Sequence, residues 1–175
     1  MIGSVLDKLF GRQYTLGELM NIDEDRQRKS YDYSVKLVKT YHQVKPESLL
    51  SKFKSFFLGN NTALMYYVIF KLSVTSNSSG KSYEVIIRTD PDYDLNNWMS
   101  NRVKIYCSCP DFKYRSAYVL EKRNSLFTND RIKTALGSAM VDAPKGKHRT
   151  SLLCKHAFAA LSWLLDNYQT VMKTI

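Results

Sequence analysis

All three cysteines of this chain fall into one spaced pattern with a histidine. It reads Cys107-Ser108-Cys109, then a gap of 44 residues, then Cys154-Lys155-His156. Thiolate sulfur and imidazole nitrogen are donors that Zn²⁺ prefers, and four of them complete a tetrahedron. A C-x-C pair at a strand end brings two sulfurs to one ion. A C-x-H pair at a helix start supplies the other two ligands. Four protein ligands leave no open position for water, so a centre of this kind cross-links and does not catalyse. The ordinary alternative, three buried thiols and a surface imidazole, leaves the paired spacing unexplained. His148 is an imperfect rival ligand in a basic loop, and His42 reads as an ordinary polar residue. The expected cofactor is therefore structural Zn²⁺, held by Cys107, Cys109, Cys154 and His156.

The ligands need elements to hold them. Asn101 to Cys109 reads as a strand. Val103, Ile105, Cys107 and Cys109 share one parity, so they point to one face. Val103 and Ile105 should face the core, and the two thiols continue that face past the sheet. From Lys155 onward, Ala157, Phe158, Leu161, Leu164, Leu165, Tyr168 and Met172 recur at helical spacing. Cys154 then stands at a helix N-terminus, where the dipole favours a thiolate.

The rest of the chain supplies the sheet and its cover. Tyr31, Tyr33, Val35 and Leu37 alternate with polar residues, which argues a first strand. Lys45-Pro46-Glu47 opens a helix striped by Leu49, Leu50, Phe53, Phe56 and Phe57 and closed at Gly59. Residues 64–75 and 83–89 read as a strand pair around the turn Asn77-Ser78-Ser79-Gly80, with a polar loop over residues 91–97. Residues 110–123 read as a helix with Phe112, Tyr118, Val119 and Leu120 inward. Residues 128–136 read as a shorter helix capped by Thr128 and stopped at Gly137, and residues 141–150 as a loop. Residues 1–30 read as an N-terminal arm with a capping box at Thr15-Leu16-Gly17-Glu18. Residues 31–175 read as one α+β domain: a four-stranded, mainly antiparallel sheet packed by helices, with the zinc knuckle joining the last strand to the C-terminal helix.

Charge is unevenly placed. The whole chain carries a net +10. Residues 101–155 hold twelve basic and four acidic side chains, a net +8, and so nearly all of the excess. Such a patch suits an acidic partner, either nucleic acid or an acidic protein surface. A merely solubilising surface is the ordinary alternative. The candidate contact residues are Lys113, Arg115, Lys122, Arg123, Arg131, Lys133, Lys145, Lys147 and Arg149. Tyr114, Tyr118 and Phe127 lie among them as candidate stacking groups.

Other chemistry finds no support. There is no Gly-rich phosphate loop and no Ser-His-Asp order. Asp90, Asp92 and Asp94 read as a turn, because the glycine and distal glutamate of a calcium loop are missing. No small-molecule substrate is expected, and the chain is not expected to be an enzyme. No apolar run reaches the length of a membrane span. Residues 1–8 lack the features of a signal peptide, and an odd cysteine count argues against a disulfide framework. The expectation is a cytoplasmic or virion setting, without membrane partners.

Tyr106-Cys107-Ser108-Cys109-Pro110-Asp111-Phe112, followed by Leu153-Cys154-Lys155-His156-Ala157, resembles the SWIM-type zinc finger, C-x-C-x(n)-C-x-H, over roughly residues 81–170. The resemblance implies a β-hairpin, a metal knuckle and a C-terminal helix. It implies the same four ligands, and a module that binds DNA or other proteins. The insert between Cys109 and Cys154 is longer than that pattern usually has, and it is the basic part of the chain. In general look the chain also resembles small phage-encoded proteins. Two functions follow as expectations. One is a zinc-stabilised structural or adaptor protein of a larger assembly, such as a phage head, neck or tail, that meets protein partners. The other is a module that binds DNA or RNA through the basic insert. No recognition helix with a base-reading set is evident.

Overall fold

A computed structural model describes residues 13–21, 29–44, 66–89, 98–140 and 152–173. Among the described residues, four strands form one sheet: β1 (Tyr33–Val44), β2 (Tyr66–Ser76), β3 (Ser82–Thr89) and β4 (Val103–Cys107). Their order is β1-β2-β3-β4, and every neighbouring pair is antiparallel. The helices are α1 (Leu16–Met20), α2 (Ala117–Lys122), α3 (Asp130–Leu136) and α4 (Lys155–Met172). The α+β class and the sheet expected from the sequence are both present.

One face of the sheet carries most of the core, while Ile69, Ile86 and Tyr106 are buried on the other, where Phe112 meets Tyr106. Val68, Phe70, Leu72 and Val74 of β2 are buried, as are Val85 and Ile87 of β3 and Val103, Ile105 and Cys107 of β4. Cross-strand register places them side by side: Phe70 opposes Ile87, and Ile87 opposes Ile105. Helix α4 closes this face with Phe158, Leu161, Leu164 and Tyr168, and Tyr168 meets Phe70 edge-on at 6.5 Å. Each fully buried Leu or Phe side chain contributes about 2 to 3 kcal/mol, so sheet and helix stand or fall together.

Strand β1 is longer than its alternation suggests. It runs through Val44, and its register shifts between Leu37 and Lys39. The extra residue at that bulge breaks the period-two signal, which is why the sequence pattern stops at Leu37. Tyr31 lies before the strand and is 75% exposed, so it does not share the inward face. Strand β4 ends at Cys107 and not at Cys109, because the chain bends there into the insert.

The insert folds back along the outer edge of β4. Ile105 donates to the Ser125 carbonyl at 2.9 Å, and Phe127 donates to the Ile105 carbonyl at 3.0 Å. Further along the same edge, Val103 donates to the Tyr14 carbonyl at 3.2 Å, and Leu16 donates to the Asn101 carbonyl at 2.9 Å. Thr15 and Glu18 form the expected capping box, and Leu16 and Leu19 enter the core. The described part of the N-terminal arm therefore packs on this chain's own sheet.

The expected helix over residues 110–123 contains a π-helical turn, Phe112–Ser116, before α2. The wider turn shifts the buried set to Phe112, Ser116, Ala117 and Leu120, and leaves Tyr118 and Val119 half-buried. Asn129, not Thr128, caps α3, its side chain accepting from the Ile132 N–H at 2.9 Å. Gly137 stops α3 with a φ of 55° and then opens a short 3₁₀ turn. The helix expected after Pro46, the loop with Asp90, Asp92 and Asp94, and the loop with Lys145, Lys147, His148 and Arg149 lie outside the described residues. Among the described residues, no helix is long and apolar enough to cross a membrane.

Candidate metal centre

Three segments converge on one point. Cys107 closes β4, Cys109 precedes the insert helix, and Cys154 caps α4 with His156 in its first turn. The four potential ligand atoms lie within 4.8 Å of one another. A tetrahedron with Zn–S bonds of about 2.3 Å has sulfurs about 3.8 Å apart, so this spacing fits one ion. All four residues are buried, and all three thiols are free.

Helix starts orient two of the sulfurs. Cys109 Sγ accepts the Phe112 N–H at 3.3 Å. Cys154 Sγ accepts the Ala157 N–H at 3.3 Å. Each bond favours the thiolate, as do the helix N-termini behind them. Ser108, between the first two thiols, donates its N–H to the Glu84 carbonyl at 2.9 Å, and its Oγ accepts the Glu84 N–H at 2.9 Å. The C-x-C turn is thus tied to β3 as well as to β4.

Protonation follows burial and mutual contact. Burial pushes the Cys107 and Cys154 thiols well up. Cys109 is held far below the usual thiol range, first by donation from the Cys107 thiol and then by that from Cys154. The three sulfurs are thus driven apart in acidity, Cys109 toward the thiolate and Cys107 and Cys154 toward the thiol. Buried arrangements of this sort are unfavourable unless a cation replaces the protons.

His156 gives the second test of fit. Its Nδ1 is buried without a hydrogen-bond partner in the structure. Its ring lies between Tyr83, with centroids 4.4 Å apart, and Tyr33, at 4.8 Å. Those rings fix the imidazole plane through packing. The donor set, the spacing and the orphaned nitrogen all fit a zinc ion, whose chemistry here is to cross-link β4, the insert and α4. The pattern of the cysteines alone did not reveal Ser108, Tyr33 or Tyr83 as supports. The signal for the tyrosines was present in strand parity, because both lie on the inward face that carries Cys107.

The basic candidates are not gathered at the metal. Lys122, Arg123, Arg131 and Lys133 are exposed, and Lys113 and Arg115 are partly so. Lys113 donates to the Ala135 carbonyl at 2.8 Å, and Arg115 pairs with Asp111 at 3.0 Å. Tyr114 is 64% exposed, whereas Phe127 is buried against the edge of β4 and is not available for stacking.

No curated protein and no solved structure matches the chain. The family model of the SWIM zinc finger matches residues 83–118, from β3 into α2, and takes in Cys107 and Cys109. Cys154 and His156 lie beyond the matched segment, and the fold brings them to it. With that second half-site in place, the four residues fit a zinc site of the C-x-C…C-x-H type, of which the matched SWIM segment supplies the first half.

Proposed function

We propose that this chain is a non-enzymatic, zinc-clasped binding module that lies on the phosphate backbone of nucleic acid through its insert. One observation carries the reading. The insert buries Leu120, Leu126, Phe127, Ile132 and Leu136 and turns Lys122, Arg123, Arg131 and Lys133 outward. Tyr114 adds an exposed ring beside Lys113, whose Nζ lies 5.7 Å from its centroid. Cations meet phosphates, and an exposed ring offers a base a stacking surface. A four-ligand centre without an open position supports the non-enzymatic part of the reading.

Protein contact within an assembly is the second reading. The described part of the N-terminal arm packs on this chain's own sheet and so does not serve that contact. What favours it is the outer edge of β1, with which no described residue pairs. Neither the family match nor the geometry points to a virion or a phage source.

The test is fluorescence anisotropy with labelled single- and double-stranded oligonucleotides across a salt series. Four phosphate contacts predict a slope of log K against log salt of about −3 for a single strand. Charge reversal at Lys122 and Arg123 should flatten that slope by about half. No binding at low salt, or binding indifferent to salt, would sink the proposal.

A further inference from the structure

The two edges of the sheet are treated differently. The outer edge of β4 is hydrogen-bonded along its length by residues 14–16 and 125–127. No described residue pairs with the outer edge of β1, a strand of 12 residues. An open strand edge presents N–H and C=O groups that template another strand.

The side chains on β1 say what that strand would carry. Between Tyr33 and Val44 there are basic residues and no acidic one. The bulge between Leu37 and Lys39 has a specific effect on them. Lys36 opposes Ser73 and Lys39 opposes Lys71, two residues apart on β2. Without the bulge, positions three apart would point to opposite faces; with it, both lysines share one face. Both are exposed. Tyr41 follows them on that face and is 36% exposed. Val38, at the bulge itself, is 55% exposed.

We propose that the outer edge of β1 takes an extended, acidic segment of a partner protein as a fifth strand. The ladder supplies affinity, and carboxylates at alternate positions meet Lys36 and Lys39. An apolar side chain of the incoming strand covers Val38. A second copy of this chain fits badly, since it would align Lys36 and Lys39 of both copies along one seam. Lysines and a bulge also serve to discourage strand pairing. Here, though, the strand is long, and its lysines are gathered on one face with exposed apolar groups beside them. The proposal does not depend on what the insert binds.

The experiment uses the full zinc-loaded chain and a synthetic peptide of about ten residues that alternates glutamate with valine and threonine. Its counterpart with lysine in place of glutamate is the control. Amide hydrogen exchange is read along residues 33–44, with affinity from anisotropy of the labelled peptide. The expected result is protection of β1 by the acidic peptide, no protection by the basic one, and about tenfold weaker binding to K36E/K39E. That variant should retain its oligonucleotide affinity, which keeps this surface separate from the insert. Equal binding of both peptides, protection elsewhere than β1, absence of protection, or dimerisation through β1 would each overturn the proposal.

Discussion

Tyr33 stands edge-on to the imidazole of His156, with ring centroids 4.8 Å apart and planes 79° apart. Tyr33 opens the edge strand β1, while His156 lies in the first turn of α4. The contact therefore ties the far edge of the sheet to the metal centre. Tyr83 packs on the same imidazole at 4.4 Å, and Lys155 Nζ sits 5.4 Å from the Tyr33 ring.

Groups that fix a ligand's orientation set metal affinity, commonly by tenfold or more. Tyr33→Ala should weaken zinc by about tenfold in competition with a chromophoric chelator. Tyr33→Phe keeps the ring and should bind as the parent does. Equal affinity in the alanine variant would show that the ring only fills space.

Metal binding should release protons. Burial holds the Cys107 and Cys154 thiols protonated, whereas Cys109 is already held as the thiolate. Zinc needs all three as thiolates, so about two protons leave on loading near neutral pH. The sign is fixed by that count: affinity falls as pH falls, by about a hundredfold per unit. Calorimetry in buffers of different ionisation enthalpy reads the number directly. In the metal-free chain the raised thiol pKa values act the other way. A folded state that prefers the thiols gains stability below their unfolded pKa and loses it as pH rises toward the folded one. Chelation should lower the unfolding temperature, and more so at alkaline pH.

Much of this centre could be read from spacing, because metal ligation constrains residue type so tightly. Parity placed Cys107 on the inward face of β4, although Cys109 lies past the strand end, and periodicity placed Cys154 at the start of α4. What spacing could not show was long-range. The bulge after Leu37 hid half of β1 from a period-two reading. The π-helical turn at Phe112–Ser116 rotated the insert helix, so Tyr118 and Val119 turned partly outward. Phe127 looked like a surface aromatic in a basic stretch, but its backbone pairs with Ile105 and draws the ring inward.

The start of α3 gives a small, sharp test of local chemistry. Asn129 has extended backbone angles, and its side chain accepts from Ile132 N–H, while Thr128 stands one residue too early. Asn129→Ala should cost about 1 kcal/mol in denaturant unfolding. Thr128→Ala should lie within about 0.5 kcal/mol of the parent. The reverse order would move the helix start by one residue.

The two aromatics of the insert separate packing from binding. Phe127 is buried, and its loss should cost about 3 to 5 kcal/mol of stability in Phe127→Ala. Tyr114 is largely exposed, so Tyr114→Ala should change stability by less than about 0.5 kcal/mol. If its ring stacks on a base, the same change should weaken single-stranded oligonucleotide binding by about 1 to 3 kcal/mol. Duplex binding should move little, because paired bases do not present their faces. Denaturant titration and anisotropy on the same two variants read both quantities. An unchanged single-strand affinity in Tyr114→Ala, beside an intact salt slope, would leave the insert as a purely electrostatic surface.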